Sequence, residues 1–302
     1  MKIPSRVING VFLLDKDSGA SSNRVLQQTK RIFNASKAGH TGSLDPLASG
    51  VLPICFGEAT KFARFLLDAN KTYVVRAQLG VMTDSGDSEG TVIAENPVPT
   101  LTADDLKQQI SQFMGAGKQV PSMFSALKHN GQRLYKLARQ NIVIDRPARD
   151  IYIYGYELLE QTSDTITCKI TCSKGTYIRT LIEDLGHKLG CGAHVTMLRR
   201  VQAGPFTIDR ATNLQDLADI KDKDGLLLPM ECLLADVPKI VLSSSDAQYM
   251  RHGRAIQITD TIPMPGIVCL VTDQDELLGI AEASNAGNIT PLRLVATQLT
   301  VL

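Results

Sequence analysis

The sequence lacks the features that assign a chain to a membrane or to the secretory pathway. Its N-terminus, "MKIPSRVING", has no long apolar stretch, and no run approaches the roughly 18 apolar residues of a membrane span. Internal repeats and low-complexity tracts are also absent. Since 43% hydrophobic and 21% charged residues are ordinary values for a globular protein, we expect a folded, cytoplasmic protein without membrane association.

Residue patterns typical of metal sites and disulfide frameworks are missing as well. The six cysteines form no CxxC pair, and none is grouped with histidine. Cys168 and Cys172 lie four residues apart, where strand alternation places both on one face with Ile166 and Ile170. This pattern favours buried, reduced thiols. The other histidines show no ligand spacing with His40, so we predict no metal site.

The net charge is only +1, but the charged residues are unevenly distributed. Residues 1–41 hold seven Lys or Arg against two Asp, a net +5, and residues 118–149 hold seven against one, a net +6. The rest of the chain then carries −10. A concentration of positive charge attracts a polyanion whatever the total charge, so these segments form either a phosphate-binding face or two solvated basic faces. Phe124 and Tyr135 lie within the second segment, and an exposed, basic, partly aromatic excursion suits contacts with nucleic acid.

A length of 302 residues predicts about two domains, and the texture of the sequence changes near residue 237. Before that point helical and strand periodicities are mixed, with a helix capped by Ser21 or Ser22, a half-buried strand in "KTYVVRAQLG" and a helix that begins at Thr102. After it come short strands and turns, including a hairpin turn at 273–276. The stretch 84–90 lacks the bidentate Glu of an EF-hand, and we interpret it as a solvated loop.

The stretch "AGHTGSLDPLASG" at 38–50 places His40 and Asp45 among small residues. Asp followed by Pro is typical of a capped helical turn, so Asp45 and Pro46 can be purely structural. A carboxylate at a helix start is also kept ionised by backbone N–H groups, which is the state that a nucleophile needs, so the two interpretations are compatible. His40 has little apolar surface around it and suits contact with a substrate better than core packing.

Arg179 and Tyr73 each allow a structural and a functional interpretation. If Thr176 caps the following helix, Arg179 lies in the first turn, where the helix dipole disfavours positive charge. It then pairs either with Glu183, four residues on, or with a carboxylate from elsewhere, such as Asp45. Tyr73 shares a strand face with apolar residues, which is typical of a core tyrosine, whereas at the edge of a cleft the same ring can stack on a base.

The glycines at 39–50 also invite comparison with a phosphate-binding loop. The stretch lacks the GxxxxGK[ST] order, and no Lys follows to reach a phosphate. A nucleotide-binding phosphotransferase is therefore a weakly supported hypothesis.

Four long stretches together resemble the TruB family of tRNA pseudouridine synthases. They are similar to the family's catalytic segment, its next motif, its RNA-gripping insertion and its arginine-bearing helix, and they read in that order "AGHTGSLDPLASGVLPICFGEATKF", "KTYVVRAQLGVMTDSGDSEG", "PSMFSALKHNGQRLYKLAR" and "CSKGTYIRTLIEDLGHKLGCGAHVTMLRR". The matches extend over roughly residues 9–204. The tail from about 238 is more weakly similar to the PUA domain, an RNA-binding module. Asp17 and Phe124 depart from the family pattern, which usually has Pro and commonly has Tyr there.

The resemblance implies a mixed α/β (α+β) synthase core over residues 1–237, with a largely antiparallel sheet flanked by helices and an RNA-gripping insertion at about 118–149. A small β-rich, PUA-like RNA-binding domain follows at 238–302. The implied activity is isomerisation of uridine 55 in the T loop of tRNA to pseudouridine. It needs no cofactor, metal or obligate protein partner, and the enzyme is expected to be a monomer. The alternative is a non-catalytic tRNA-binding or folding factor that uses the same basic face.

The resemblance also implies roles for individual residues. Asp45 is the nucleophile, attacking either C6 of the flipped base or the ribose C1′. Tyr73 stacks on the base and assists loss of the C5 proton, and Arg179 pairs with Asp45. His40 contacts flipped or displaced nucleotides, and Leu198 lines the pocket. The remaining expected RNA-binding residues are Lys16, Tyr177, Lys128 and Arg139.

Overall fold

Helices and strands alternate through residues 4–258 and 265–296, the part of the chain that the computed structural model describes. The α-helices are α1 (Ser22–Ile32), α2 (Ala63–Asp68), α3 (Ala103–Ser111), α4 (Leu134–Ala138), α5 (Ile178–Lys188), α6 (Leu214–Asp219) and α7 (Ser244–Arg251). The strands before residue 150 are β1 (Gly10–Lys16), β2 (Ala38–His40), β3 (Ser49–Phe56), β4 (Lys71–Leu79), β5 (Val81–Thr83), β6 (Val92–Glu95), β7 (Gly115–Gln119), β8 (Lys128–His129), β9 (Gln132–Arg133) and β10 (Arg149–Gln161). The later strands are β11 (Thr165–Cys172), β12 (Ala193–Ala203), β13 (Phe206–Thr207), β14 (Thr212–Asn213), β15 (Lys239–Leu242), β16 (Ile256–Gln257), β17 (Gly266–Thr272), β18 (Leu277–Ala283) and β19 (Asn288–Leu294).

The larger sheet has ten strands, and eight of them follow the order β14-β1-β3-β12-β4-β11-β10-β7. Strand β2 pairs with β3, and β13 pairs with β12. Only the β1–β14 and β3–β12 pairs are parallel, so the sheet is mixed and largely antiparallel. The predicted fold class is confirmed.

Helix α1 forms where the sequence pattern predicts it. The hydroxyl of its N-cap Ser21 accepts a hydrogen bond from the backbone N–H of Arg24, which satisfies one of the free donors of the first turn. A Thr102–Asp105 capping box likewise begins α3. The inward face of α1 is buried, as the helical period requires, at Val25, Leu26, Thr29 and the following Phe33.

The two faces of the larger sheet pack against different layers. Helices α1, α3 and α5 bury one face in the main apolar cluster, which includes Phe12, Leu52, Val75 and Leu181. The opposite face of β1 and β3 packs against α2 and the C-terminal sheet, through Val11, Val51, Val271 and Ile280 among others. Each fully buried aliphatic side chain of this kind contributes about 1.5–3 kcal/mol. The helix-covered face carries the candidate site.

The C-terminal sheet has the strand order β15-β17-β18-β19-β16. Its predicted hairpin turn at 273–276 is confirmed, because the backbone N–H of Thr272 donates to Glu276 O at 2.9 Å and Asp275 adopts φ +60°. The short strands expected after residue 237 include β16 and β19, which follow the stretches "GRAIQIT" and "PLRLVAT" up to Gln257 and Leu294; the last residues of those stretches, 259 and 297, lie outside the described residues. No described helix is both long and apolar enough to cross a membrane.

The segment 118–149, named the insertion from here on, leaves the sheet between β7 and β10. It contains the short β8–β9 hairpin and α4. A small cluster of its own holds it together, with Met123, Leu134 and Leu137 buried. Its basic side chains are exposed, except that of Arg146, which is partly buried.

Gly50 in β3 pairs with Arg200 in β12, and the two backbones lie close together there. Its φ is +107°, and a Cβ there would lie 2.2 Å from the carbonyl oxygen of Arg200, so only glycine fits. This contact fixes the end of the 38–50 loop against β12.

We predict that Gly50→Ala lowers the free energy of unfolding by about 3 kcal/mol or more, because backbone must move on both strands. The matched control is Gly115→Ala, where φ is +86° and no atom lies within 4 Å of the added methyl. It should lose only about 1–2 kcal/mol from φ strain. Urea unfolding measures both, and equal losses would contradict the close-approach argument.

Candidate active site

The loop between β2 and β3, residues 41–48, is rigidly anchored despite its small residues. The Ser22 hydroxyl accepts from the backbone N–H of Leu44 at 2.7 Å and donates to the Leu44 carbonyl at 2.8 Å. The Lys16 ammonium donates to the carbonyls of Asp17, Pro46 and Ala48. The loop is therefore tied to α1 and β1.

The expectation that Asp45 caps a helical turn is wrong. The backbone N–H of Ala48 donates to Asp45 O at 3.1 Å, which closes one turn, and strand β3 then begins at Ser49. No helix follows, so neither helix N–H groups nor a helix dipole act on the carboxylate. For the same reason the loop lacks the helix N-terminus of a phosphate-binding site, which weakens the phosphotransferase hypothesis.

Arg179 supplies the charge that faces Asp45. It lies in the first turn of α5 with only 5% of its side chain exposed, and its Nη2 is 2.9 Å from Asp45 Oδ2. Its Nη1 is 3.1 Å from Asp87 Oδ2. The same two nitrogens donate at 2.8 Å to the carbonyls of Ser85 and, in the insertion, Phe124. One guanidinium thus joins four segments of the chain.

The sequence left open whether Arg179 pairs with Glu183 or with a distant carboxylate. In the described residues it pairs with the distant Asp45 and Asp87, and no ion pair with Glu183 forms. The helix begins at Ile178 with Tyr177 as N-cap, rather than at a Thr176 cap. The two carboxylates offset the unfavourable position of Arg179 on the helix dipole.

Asp87 is the residue that sequence reasoning missed, because 84–90 was interpreted as a solvated loop. Asp87 is only 3% exposed. Its Oδ1 accepts from the Ser85 hydroxyl at 2.6 Å and from the backbone N–H of Glu89 at 3.1 Å. The Val195 N–H of β12 donates to Gly86 O, so the loop is covered and held by the sheet. The sequence signal that could have indicated Asp87 was Arg179, because an arginine in the first turn of a helix needs acidic partners.

The Asp45 carboxylate combines accessibility with close protein neighbours, since 43% of its side chain is exposed. Burial raises the pKa of this carboxyl above its ordinary value, and the positive charge of Arg179 opposes the rise. The nearby negative charge of Asp87 raises the pKa further. The ion pair with Arg179, rather than a helix cap, is thus the interaction that favours the ionised form.

Tyr73 and His40 both lie near the buried Arg200, and Tyr73 also lies near the Asp45 carboxylate. Tyr73 in β4 is directly opposite Arg200 in β12 and is only partly buried. Burial raises the pKa of the Tyr73 phenol, while Arg200 acts to lower it. His40 lies in β2 with its Nδ1 buried and without a hydrogen-bond partner in the described protein. Burial and the charge of Arg200 lower the pKa of its imidazole, which favours the neutral form.

Three other expected site residues are held mainly by contacts within the protein. Lys16 is completely buried and its ammonium donates to three carbonyls, so it positions the loop, while the RNA contact that the resemblance implies for it stays a prediction. Leu198 is buried in the main core beside Val75. The backbone of Tyr177 is clamped by the Gln119 amide, with hydrogen bonds of 2.8 and 3.0 Å, which joins α5 to β7.

Lys128 and Arg139 are exposed on the insertion and form no described contact with Asp45. The guanidinium of Arg139 lies over the ring of Tyr135, 5.7 Å from its centroid. No group of three or more His, Cys, Asp or Glu side chains within the described ranges is arranged to hold a metal ion. Six cysteines are free, and only Cys232 is not fully buried.

We predict that Arg179→Met lowers the free energy of unfolding by about 3–5 kcal/mol, because it leaves the buried Asp87 carboxylate without its cation. The control is Arg6→Met. Arg6 pairs with Asp224 at the surface, where the side chains are 44% and 50% exposed, so its loss should cost less than about 1 kcal/mol. Chemical denaturation compares the two, and similar losses would refute the central position of Arg179.

Comparison with protein families gives matches along nearly the whole chain. A model described as "TruB family pseudouridylate synthase (N terminal domain)" matches residues 30–178. Models described as "tRNA pseudouridylate synthase B C-terminal domain" and "Pseudouridine synthase II TruB, C-terminal" match residues 179–235 and 238–295.

Individual relatives agree with the family models. The chain is 48% identical over 300 residues to tRNA pseudouridine synthase B of Coxiella burnetii (strain Dugway 5J108-111), covering 97% of each chain. It is 47% identical to the protein of the same name from Tolumonas auensis, covering 97% of this chain and 94% of the relative.

Solved structures show the same architecture. The Cbf5-Nop10-Gar1 complex contains a chain that matches with a TM-score of 0.71 at 30% identity, over 92% of this chain and 79% of that one. An H/ACA RNP bound to a substrate RNA containing 2′-deoxyuridine matches with a TM-score of 0.73 at 26% identity, over 95% and 85% of the two chains. With a family model on residues 30–178 and relatives near 48% identity over almost the full length, the chain belongs to the TruB family of pseudouridylate synthases.

Proposed function

We propose that this protein isomerises uridine 55 in the T loop of tRNA to pseudouridine, with Asp45 as nucleophile. The observation that carries the proposal is the Asp45 carboxylate, 43% exposed and held at 2.9 Å by a buried arginine. A nucleophile must be both reachable and ionised; the exposure of Asp45 provides the first condition, and the positive charge of Arg179 favours the second. The tRNA substrate follows from the names of the relatives, which are tRNA pseudouridine synthases.

The reaction begins when the uridine leaves the stack and enters the site, at a cost of a few kcal/mol for unstacking. Asp45 then attacks either C6 of the base or C1′ of the ribose. The glycosidic bond breaks, the ring turns, and a bond forms between C5 and C1′. Tyr73 stacks on the ring and accepts the C5 proton, while Arg179 keeps Asp45 oriented and charged.

The insertion supports recognition of the RNA. Its seven Lys and Arg residues are opposed by one acidic residue, and Lys128 and Arg139 are exposed on it. Such groups position a nucleic acid through its phosphates. Because the Phe124 carbonyl in the insertion accepts from Arg179, RNA that moves the insertion also acts on the partner of the nucleophile. His40, beside the loop, contacts the displaced nucleotides.

We further infer the organisation and setting of the enzyme. Residues 1–237 form the synthase domain, and residues 238–302, of which 259–264 and 297–302 lie outside the described ranges, form a PUA-like RNA-binding domain. The exposed Tyr249 on α7 and the exposed Arg254, three residues beyond the end of that helix, are suited to RNA in that domain. The enzyme acts as a monomer in the cytoplasm on the T arm of tRNA.

A non-catalytic tRNA-binding factor is the second candidate, and it is less favoured. Binding alone explains exposed basic residues such as Lys128. It gives no reason to bury Arg179 and Asp87 together beneath a reachable carboxylate, because buried ion pairs seldom add stability over apolar packing.

We predict that Asp45→Asn slows release of tritium from tRNA labelled at uridine C5 by about three orders of magnitude or more, because the amide is not a nucleophile. Affinity for tRNA should change less than about threefold, since the replaced group is small and of the same shape. Asp17→Asn is the matched control, because Asp17 is an exposed carboxylate in a neighbouring loop, and it should keep normal turnover.

Transcripts in which the T-loop uridine 55 is replaced should release no tritium from any position. Retained turnover by the Asp45 variant would rule out the nucleophile, and release from the replaced transcript would rule out the position.

A further inference from the structure

Arg200 is a deeply buried cation beside the candidate active site, with 1% of its surface exposed. Its Nε donates to Val51 O at 2.8 Å, and its Nη2 donates to Gly42 O at 3.1 Å. Both acceptors are neutral. Within residues 4–258 and 265–296 no carboxylate forms an ion pair with Arg200, in contrast to Arg179, which has two.

A buried guanidinium without a counter-charge lowers the stability of a fold, because a charge removed from water loses its hydration. A cation kept at such a cost suggests a functional role. The buried ammonium groups of Lys16 and Lys71 differ in one respect. Each donates to three carbonyls, which uses all three of its N–H donors. The Nη1 of Arg200 donates to no acceptor in the described protein, so this cation keeps both charge and donor capacity.

The group that Arg200 faces is the Tyr73 phenol. The two residues are directly opposed in the antiparallel β4–β12 ladder, so their side chains share one face at close range. Burial raises the pKa of the Tyr73 phenol, the positive charge of Arg200 acts to lower it, and the nearby Cys172 and Asp45 act to raise it further. The loop carbonyl of Gly42 orients the same guanidinium, which links it to the segment that carries Asp45.

We propose that Arg200 is a positioning residue that stabilises negative charge on the Tyr73 oxygen, so that Tyr73 can accept the C5 proton of the isomerised base. This inference rests on the proposed function. In the step, the C5–H bond breaks, its electron pair returns to the ring to restore conjugation, and the proton passes to the phenolate oxygen. The phenol then loses this proton to solvent before the next turnover, so no other reactant is needed.

A second tyrosine provides an internal comparison in the unmodified protein. Tyr156 is 8% exposed, and its hydroxyl has no hydrogen-bond partner in the described protein. Burial, and to a lesser extent the nearby Cys168, raise its pKa well above the ordinary value. If Arg200 stabilises the Tyr73 phenolate, Tyr73 must lose its proton at lower pH than Tyr156.

The experiment is an NMR titration of protein labelled with 13Cζ-tyrosine, in which Tyr73→Phe and Tyr156→Phe assign two of the seven tyrosine signals. We expect Tyr73 to titrate below Tyr156 in the wild type. In Arg200→Gln the proton affinity of the Tyr73 phenolate should rise at least about tenfold, and in Arg200→Lys, which keeps the charge, much less. Titration of Tyr73 at or above Tyr156 in the wild type overturns the proposal even if Arg200→Gln does not fold.

Arg199→Gln is the matched control. Arg199 precedes Arg200 in β12, lies on the other face of the sheet, and pairs with Asp15 at 2.7 Å, so its loss should leave the titration of Tyr73 unchanged. An equal shift in this variant would show that any disturbance of the strand moves Tyr73, and it would contradict the specific role of Arg200.

A rescue experiment separates the chemical role from support of the loop. Replacing Tyr73 by 3,5-difluorotyrosine, which is nearly the same size but more acidic, should restore tritium release by Arg200→Gln at least about tenfold, and should not restore Asp45→Asn. If the titration of Tyr73 shifts in Arg200→Gln but difluorotyrosine does not restore tritium release, the proposed role of Arg200 in proton transfer is overturned. Because the titration needs no RNA, it tests the effect of Arg200 on Tyr73 even if the wild-type enzyme forms no pseudouridine and the proposed function fails.

Discussion

The Arg179 guanidinium is the point on which the geometry of the site depends. Two of its nitrogens bind the loop of Asp45, the loop of Asp87 and the insertion at Phe124, from a helix that is itself fixed to the sheet. These segments are far apart in sequence, and none has a helix or strand of its own at the contact. Without a shared buried cation, each would be an ordinary surface loop. The carboxylate is therefore positioned by charge and hydrogen bonds rather than by local secondary structure.

Charge is distributed unevenly around this point, and the imbalance is informative. Arg179 is matched by two carboxylates, whereas Arg200, on the neighbouring strand, faces carbonyls and a phenol. The first arrangement opposes the rise in the pKa of Asp45 that burial causes and so favours the ionised carboxylate. The second arrangement places the positive charge of Arg200 beside Tyr73, the residue proposed to accept the C5 proton. A site that forms and breaks bonds to a flat, neutral base needs both a stable anion and a group that can become one.

Local elements were predictable from the sequence, and contacts between distant segments were not. Helix α1, strand β4 and the 273–276 hairpin follow from periodicity and turn chemistry, which depend on neighbouring residues. The capped turn at Asp45 and the solvated loop at 84–90 were wrong because β3 and β12 override the local preferences there. Lys16 was expected at the RNA surface, but the loop at Pro46 covers it. From the residues alone, the pairing of Arg179 with Asp45 was one of two open alternatives; the resemblance implied it, and the fold shows it.

Hydrogen exchange in Arg179→Lys tests this account most directly. Lysine keeps the positive charge but cannot donate to four partners at once. If Arg179 holds the site together, backbone amides in the segments 43–48, 84–89 and 122–126 should all exchange faster in the variant, while the rest of the sheet keeps its protection. Unchanged exchange in these segments, or a change confined to one of them, would contradict the claim that a single guanidinium assembles the site.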